Sequence, residues 1–273
     1  MNKANIIIFS FNRPCQLELL LRSMKMHWND FDNQEIKIIY TYSNDSFEAG
    51  YNKLKNECKG NIEFVKQVTF RQNVINCIDT SKELVIFGTD DDVFIRDFDL
   101  QCREVDFFKQ RPEIITLSLR LGKNISYCYT QNRFISRPLL IKGADYNLWN
   151  WTEGEEGDWT YPFSLDFNLY ETDFILPYIK KFEFRSPNTL EGFFARIMPY
   201  ARYLMMGFDE PKIFNAPHNR VQIDNKNRCG KISSEYLNQM YLDGYIINLD
   251  NILKEKNKFN SCHVEVNFDF IEE

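Results

Sequence analysis

The sequence predicts an α/β domain: a mostly parallel central sheet flanked by helices. Short apolar runs alternate with amphipathic stretches through the first half of the chain, in the order β-α-β-α-β-α-β. One run, Leu84-Val85-Ile86-Phe87-Gly88-Thr89, carries no charge, as a strand buried on both faces requires. It ends in three consecutive carboxylates, Asp90-Asp91-Asp92, and then returns to Val93-Phe94. Like charges side by side repel, so the fold gains something by grouping them: a solvated turn, or a hard divalent cation held by oxygen ligands. In open α/β sheets ligands bind at the carboxyl ends of strands, which is where this triplet falls.

The elements follow in chain order. Asn5 to Ser10 is the first apolar strand, broken at Phe11-Asn12-Arg13-Pro14. Pro14 suits the first position of a helix, and Leu17, Leu20, Leu21, Met24 and Trp28 then share one helical face. Ile36 to Tyr42 is the second strand, closed by the turn-rich Ser43-Asn44-Asp45-Ser46, with a polar helix over Glu48 to Glu57. Ile62 to Val65 is a third strand and Phe70 to Ile78 a helix. Arg71 in that helix is either solvated or within reach of a diphosphate. After the triplet come a helix over Gln101 to Gln110, a strand over Ile114 to Leu119, and the junction Arg120-Leu121-Gly122-Lys123-Asn124.

Residues 127–160 lack a period. Trp149, Trp151 and Trp159 alternate there with Glu153, Glu155, Glu156 and Asp158, as in a carbohydrate-binding loop or an acidic loop anchored by core tryptophans. Ser164 to Tyr170 reads as a strand, Thr172 to Lys181 as a helix, and a further helix starts near Asn188. The organisation is a nucleotide-binding half (1–125), an acceptor-side half (126–232) and a C-terminal helical extension (233–273), together one compact domain.

Of 273 residues, 44% are hydrophobic and 15% aromatic, enough for a large core with rings left to line a cleft. The net charge of −6 argues against a general nucleic-acid binder. Cysteines number seven and show no Cys-x-x-Cys spacing, which suits free thiols in a reducing compartment. No apolar run reaches the length of a membrane span, and the first one is too short for a signal peptide. The expectation is a cytoplasmic protein, with peripheral contact at the inner face of a membrane left open. The Gly-rich phosphate loops of dinucleotide-binding and P-loop proteins are absent, so a bound diphosphate would need a cation for charge neutralisation.

Thr89-Asp90-Asp91-Asp92 resembles the Asp-x-Asp motif of nucleotide-sugar glycosyltransferases with the GT-A fold, and Ser10-Phe11-Asn12-Arg13-Pro14 resembles the first loop of their family-2-type members. The resemblance implies transfer of a hexosyl or N-acetylhexosaminyl unit from a nucleotide-diphosphate sugar to a hydroxyl of a carbohydrate or glycolipid, with inversion, in glycan or polysaccharide synthesis. It places Ser10, Phe11 and Arg13 near base and ribose, and Asp45 on the base unless it only forms a surface turn. Asp90 and Asp92 would hold Mn²⁺ or Mg²⁺, with Asp91 beside them and His218 completing the coordination. Arg120 and Asn124 would contact sugar or phosphate, and Arg220 the diphosphate. Glu191 would be the catalytic base, unless it pairs with Asn188 in a helix cap; Asp166 is the second carboxylate candidate. Two other readings are a sugar-1-phosphate nucleotidyltransferase, whose Gly-rich first loop is missing here, and a non-catalytic binding module on a transferase scaffold.

Overall fold

A computed structural model describes residues 2–58, 60–197, 202–222 and 228–273. Strand β1 (Ala4–Phe11) leads into α1 (Pro14–His27), with Pro14 opening the helix. Then come β2 (Ile36–Thr41), α2 (Asp45–Glu57), β3 (Ile62–Lys66), α3 (Phe70–Cys77) and β4 (Leu84–Thr89). These four strands pair in parallel, with Ile6 beside Ile36 and Ile86. Alternation divides β1 cleanly. Ile6 and Ile8 pack with α1 in one core, while Ile7 and Phe9 join α3 in the other, so both faces of the sheet are buried.

The rest of the chain comprises β5 (Asp92–Phe94), α4 (Arg103–Lys109), β6 (Ile114–Ser118), β7 (Tyr127–Cys128), β8 (Arg133–Phe134), β9 (Ile141–Lys142) and β10 (Tyr146–Asn150). After these come β11 (Asn168–Glu171), α5 (Thr172–Lys181), α6 (Pro187–Ile197), β12 (Leu204–Phe208) and β13 (Ile213–Asn215). The chain ends in α7 (Ser234–Leu242), β14 (Tyr245–Ile247), α8 (Leu249–Glu255) and β15 (Phe270–Glu272). The main sheet has nine strands in the order β3-β2-β1-β4-β11-β6-β12-β10-β9. It is mostly parallel, but β11 runs antiparallel between β4 and β6, and β10 is antiparallel to both its neighbours.

Three details differ from the sequence reading. The expected strand over 164–170 is a strand only from Asn168, because Phe167 takes a left-handed backbone (φ 48°). The aperiodic stretch 127–160 holds four short strands. Segment 233–273 is helix and a two-stranded antiparallel sheet together, since β14 pairs with β15 while α7 lies on α1 and α2. Strands from both sides of residue 125 share one sheet, so the two halves have no separate cores.

Candidate active site

At the carboxyl ends of β1, β2 and β4 the first loop meets the acidic triplet and opens a cavity of about 1370 Å³. That exceeds the few hundred to ~1,000 Å³ of ordinary ligand pockets. Ser10, Phe11, Arg13, Asp90, Asp91, Arg120, Asp166, Glu191 and Arg220 line it.

The first loop is shaped by Asn12, whose left-handed backbone (φ 56°) is tolerated by a short amide side chain. That amide exchanges two hydrogen bonds of 2.8 Å with Ser43. The turn aims Arg13 at the triplet: its Nη1 donates to Asp90 Oδ1 at 2.9 Å and to Asp91 Oδ2 at 2.8 Å. Its other nitrogens donate to the side chain and carbonyl of Asn219. Asp90 Oδ2 accepts from the Phe11 N–H at 3.0 Å. Burial pushes the Asp90 carboxyl up to about 6, with Arg13 pulling the other way. Burial also works against the charge of Arg13, but Asp91 and Asp90 outweigh it.

The three carboxylates have different jobs. Asp92 is fully buried and does not line the cavity. Its Oδ2 accepts from the Thr89 N–H and hydroxyl at 2.9 and 3.1 Å, and its Oδ1 from Asn215 at 3.2 Å. It braces the turn at the end of β4, and burial, with Asp166 and Asp91 nearby, holds its carboxyl well above the usual range. Asp91 faces the cavity, with Asn215 donating to its Oδ1 at 2.9 Å.

His218 lies off the cavity, buried against the Phe268 ring, and burial lowers it to about 4. The expected metal set of Asp90, Asp92 and His218 is therefore not brought together, because Asp92 and His218 face the interior. Among the described residues no three His, Cys, Asp or Glu side chains are grouped to hold a metal.

A second carboxylate pair forms the adjoining wall. Phe163 stacks on Phe194 of α6 (centroids 4.1 Å apart), which brings the helix against the segment before β11. Glu191 then accepts from the Leu165 N–H at 3.1 Å. It is not in a cap pair with Asn188: Ser186 caps α6, accepting from the Thr189 N–H at 3.2 Å. Asp166 accepts from Ser164 at 3.1 Å and lies 3.4 Å from the Thr89 hydroxyl, next to the triplet. Gly88 allows this approach. A Cβ there would sit 2.3 Å from the Phe167 ring, which crosses β4 and places Asp166 over its end.

Burial, and then Asp166, raise Glu191 to about 8, while Arg120 opposes. Between its ordinary 4.5 and about 8, Glu191 holds its proton in the folded chain and loses it in the unfolded one, so this group costs stability as pH rises through that window. Glu191→Gln should match wild type near pH 4.5 and gain on it towards pH 8 in urea unfolding. A difference that stays flat across the window would contradict this.

Several expected contacts are elsewhere. Asp45 is exposed in the first turn of α2, which Asn44 caps, and does not line the cavity. Arg71 ties α3 to the end of α5 by donating to the Phe182 carbonyl at 2.7 Å. Asn124 donates to the Phe259 carbonyl at 2.6 Å, away from the cavity. Arg120 is buried and paired with Asp158 at 2.7 Å. Burial raises the Asp158 carboxyl, but Arg120 and His263 outweigh it and the net shift is downwards. The tryptophans are core anchors: Trp149 donates to the Trp159 carbonyl at 2.8 Å, and none of the three lines the cavity. The histidine that does is His263, whose Nε2 is 3.8 Å from Asp166 Oδ2.

No family model matches the chain. It is 30% identical over 187 residues to the bifunctional glycosyltransferase pgtA of Dictyostelium discoideum, a match covering 62% of this chain and 24% of that protein. The chain thus spans about a quarter of that relative. Among solved structures, S. aureus TarS overlaps at a TM-score of 0.39 with 13% identity, covering 64% of this chain and 29% of that one. A cytidylyltransferase from Leptospira borgpetersenii overlaps at 0.40 with 12% identity, covering 74% and 71%. Overlaps this loose fix neither fold nor function. The sequence relative agrees with the resemblance carried by the triplet and the first loop.

Proposed function

We propose that the chain transfers a sugar from a nucleotide-diphosphate donor to a hydroxyl of a carbohydrate or glycolipid acceptor, with inversion, in glycan synthesis. One observation carries the reading: the triplet, the first loop and a separate carboxylate pair converge on one cavity large enough for two substrates. The glycosyltransferase relative supports it.

Ser10, Phe11 and Arg13 flank the donor nucleotide, and Arg220, exposed at the cavity, suits the diphosphate. A cation bridged by substrate phosphates needs only one or two protein carboxylates. Asp91, with Asp90 beside it, has the hard oxygens that suit Mn²⁺ or Mg²⁺. Such an ion would offset charge growing on the leaving diphosphate. On the acceptor side, Asp166 takes the proton from the attacking hydroxyl. Glu191, the expected base, is held protonated up to about 8 and so is not free to take that proton at neutral pH.

Thermal shift against a panel of nucleoside diphosphates, with and without Mn²⁺, tests the donor half. One base class should stabilise the protein, by about 2.7 kcal/mol at a hundredfold excess over Kd, and only with the cation present. Stabilisation by no nucleotide would sink the proposal. Pyrophosphate release from a nucleoside triphosphate would move it to nucleotidyl transfer.

A further inference from the structure

The segment from β8 through β9 carries a surface that the transfer chemistry does not use. Three of the eight large apolar side chains standing exposed among the described residues fall within it: Phe134 at 75%, Leu139 at 88% and Ile141 at 59%. Scattered exposed apolar residues are ordinary, but three within eight positions are not. Arg133, Arg137 and Lys142 alternate with them, and no acidic residue occurs from 133 to 144. Arg133 is shared with Glu155 at 3.4 Å, while Arg137 and Lys142 are exposed. The base of this arm is fixed at the cavity. Buried Ile135 lies against Gly157, where a Cβ would sit 3.3 Å from it, and Gly157 lines the cavity with Gln131 and Glu156.

We infer that residues 133–142 dock the protein on an anionic lipid surface, with Phe134, Leu139 and Ile141 entering the headgroup boundary and the cations meeting lipid phosphates. Apolar tips supply burial and basic residues supply attraction, and two weak signals together make stable peripheral binding. No helix among the described residues is long and apolar enough to cross a membrane. The docked arm would hold the cavity mouth beside the bilayer. That consequence rests on the transferase reading, because only then does a lipid-anchored acceptor gain from it. The docking itself does not.

Cosedimentation with vesicles, without any sugar nucleotide, tests the surface alone. Wild type should bind vesicles of mixed phosphatidylglycerol and phosphatidylcholine, bind phosphatidylcholine alone far less, and release as salt rises. The triple variant F134S/L139S/I141S should lower partitioning by roughly tenfold or more, and R137Q/K142Q should remove the preference for anionic lipid. Val68→Ser, at an equally exposed site away from the arm, should change nothing. All these positions are exposed, and unaltered thermal midpoints would confirm folding. Partitioning of the triple variant within about twofold of wild type would overturn the inference. So would a wild-type dimer that the triple variant dissociates, since a second copy would then cover the arm.

Discussion

Asp166→Asn should lower turnover on the order of 10²–10⁴-fold, the usual contribution of a general base, while nucleotide binding measured by thermal shift stays near wild type. Asparagine keeps the size of the side chain and can still accept from Ser164, so the turn at Phe167 and the start of β11 should persist. What disappears is the carboxyl oxygen that receives a proton. Glu191→Gln makes the contrast. If Glu191 is already protonated at neutral pH, its amide imitates the working state, and turnover should stay within about tenfold of wild type. The variant also removes the group that ionises near 8, so any alkaline limb due to Glu191 should flatten. The opposite pattern, with Glu191→Gln inactive and Asp166→Asn active, would exchange the two roles.

The first half of the fold was legible because parallel strands buried on both faces are written as continuous apolar runs, and Pro14 marks a helix start. The meeting of Arg13 with Asp90 and Asp91 was not legible: the resemblance placed Arg13 near base and ribose, and the triplet ends a different strand. The division of labour within the triplet was not legible. Nothing in three identical residues says that Asp92 turns inward to Thr89 and Asn215 while Asp91 faces out. That choice is made by β13, which pairs with β5 from more than a hundred positions away. His263 shares the obstacle: nothing in its local sequence marks it, and only tertiary packing brings it to Asp166. Asp45 follows the surface alternative for a local reason. With Asn44 as the cap, the next residue belongs to the outer face of the first helical turn.

Arg120→Met should destabilise the fold on the order of 3–5 kcal/mol at pH 7, the cost of removing one partner of a buried ion pair. Arg120 and Asp158 are both buried, and their 2.7 Å contact is the only hydrogen bond between them, so the lone carboxylate would keep its burial without its counter-charge. For a chain this long the midpoint would fall on the order of 10 °C. Acid should narrow the gap. The Asp158 carboxyl sits below its ordinary 3.8 in the fold, so its share of the stability is present above that value and lost as pH falls through the lowered one. In the variant, protonation relieves the stranded charge. The deficit measured by urea unfolding should therefore be full near neutrality and shrink as pH approaches 3.8. Arg120→Met combined with Asp158→Leu should recover most of the loss, because an apolar pair asks for no charge compensation. A double variant as unstable as the sum of its parts would mean that the Arg120 side chain acts through other partners, such as the nearby charge of Asp166.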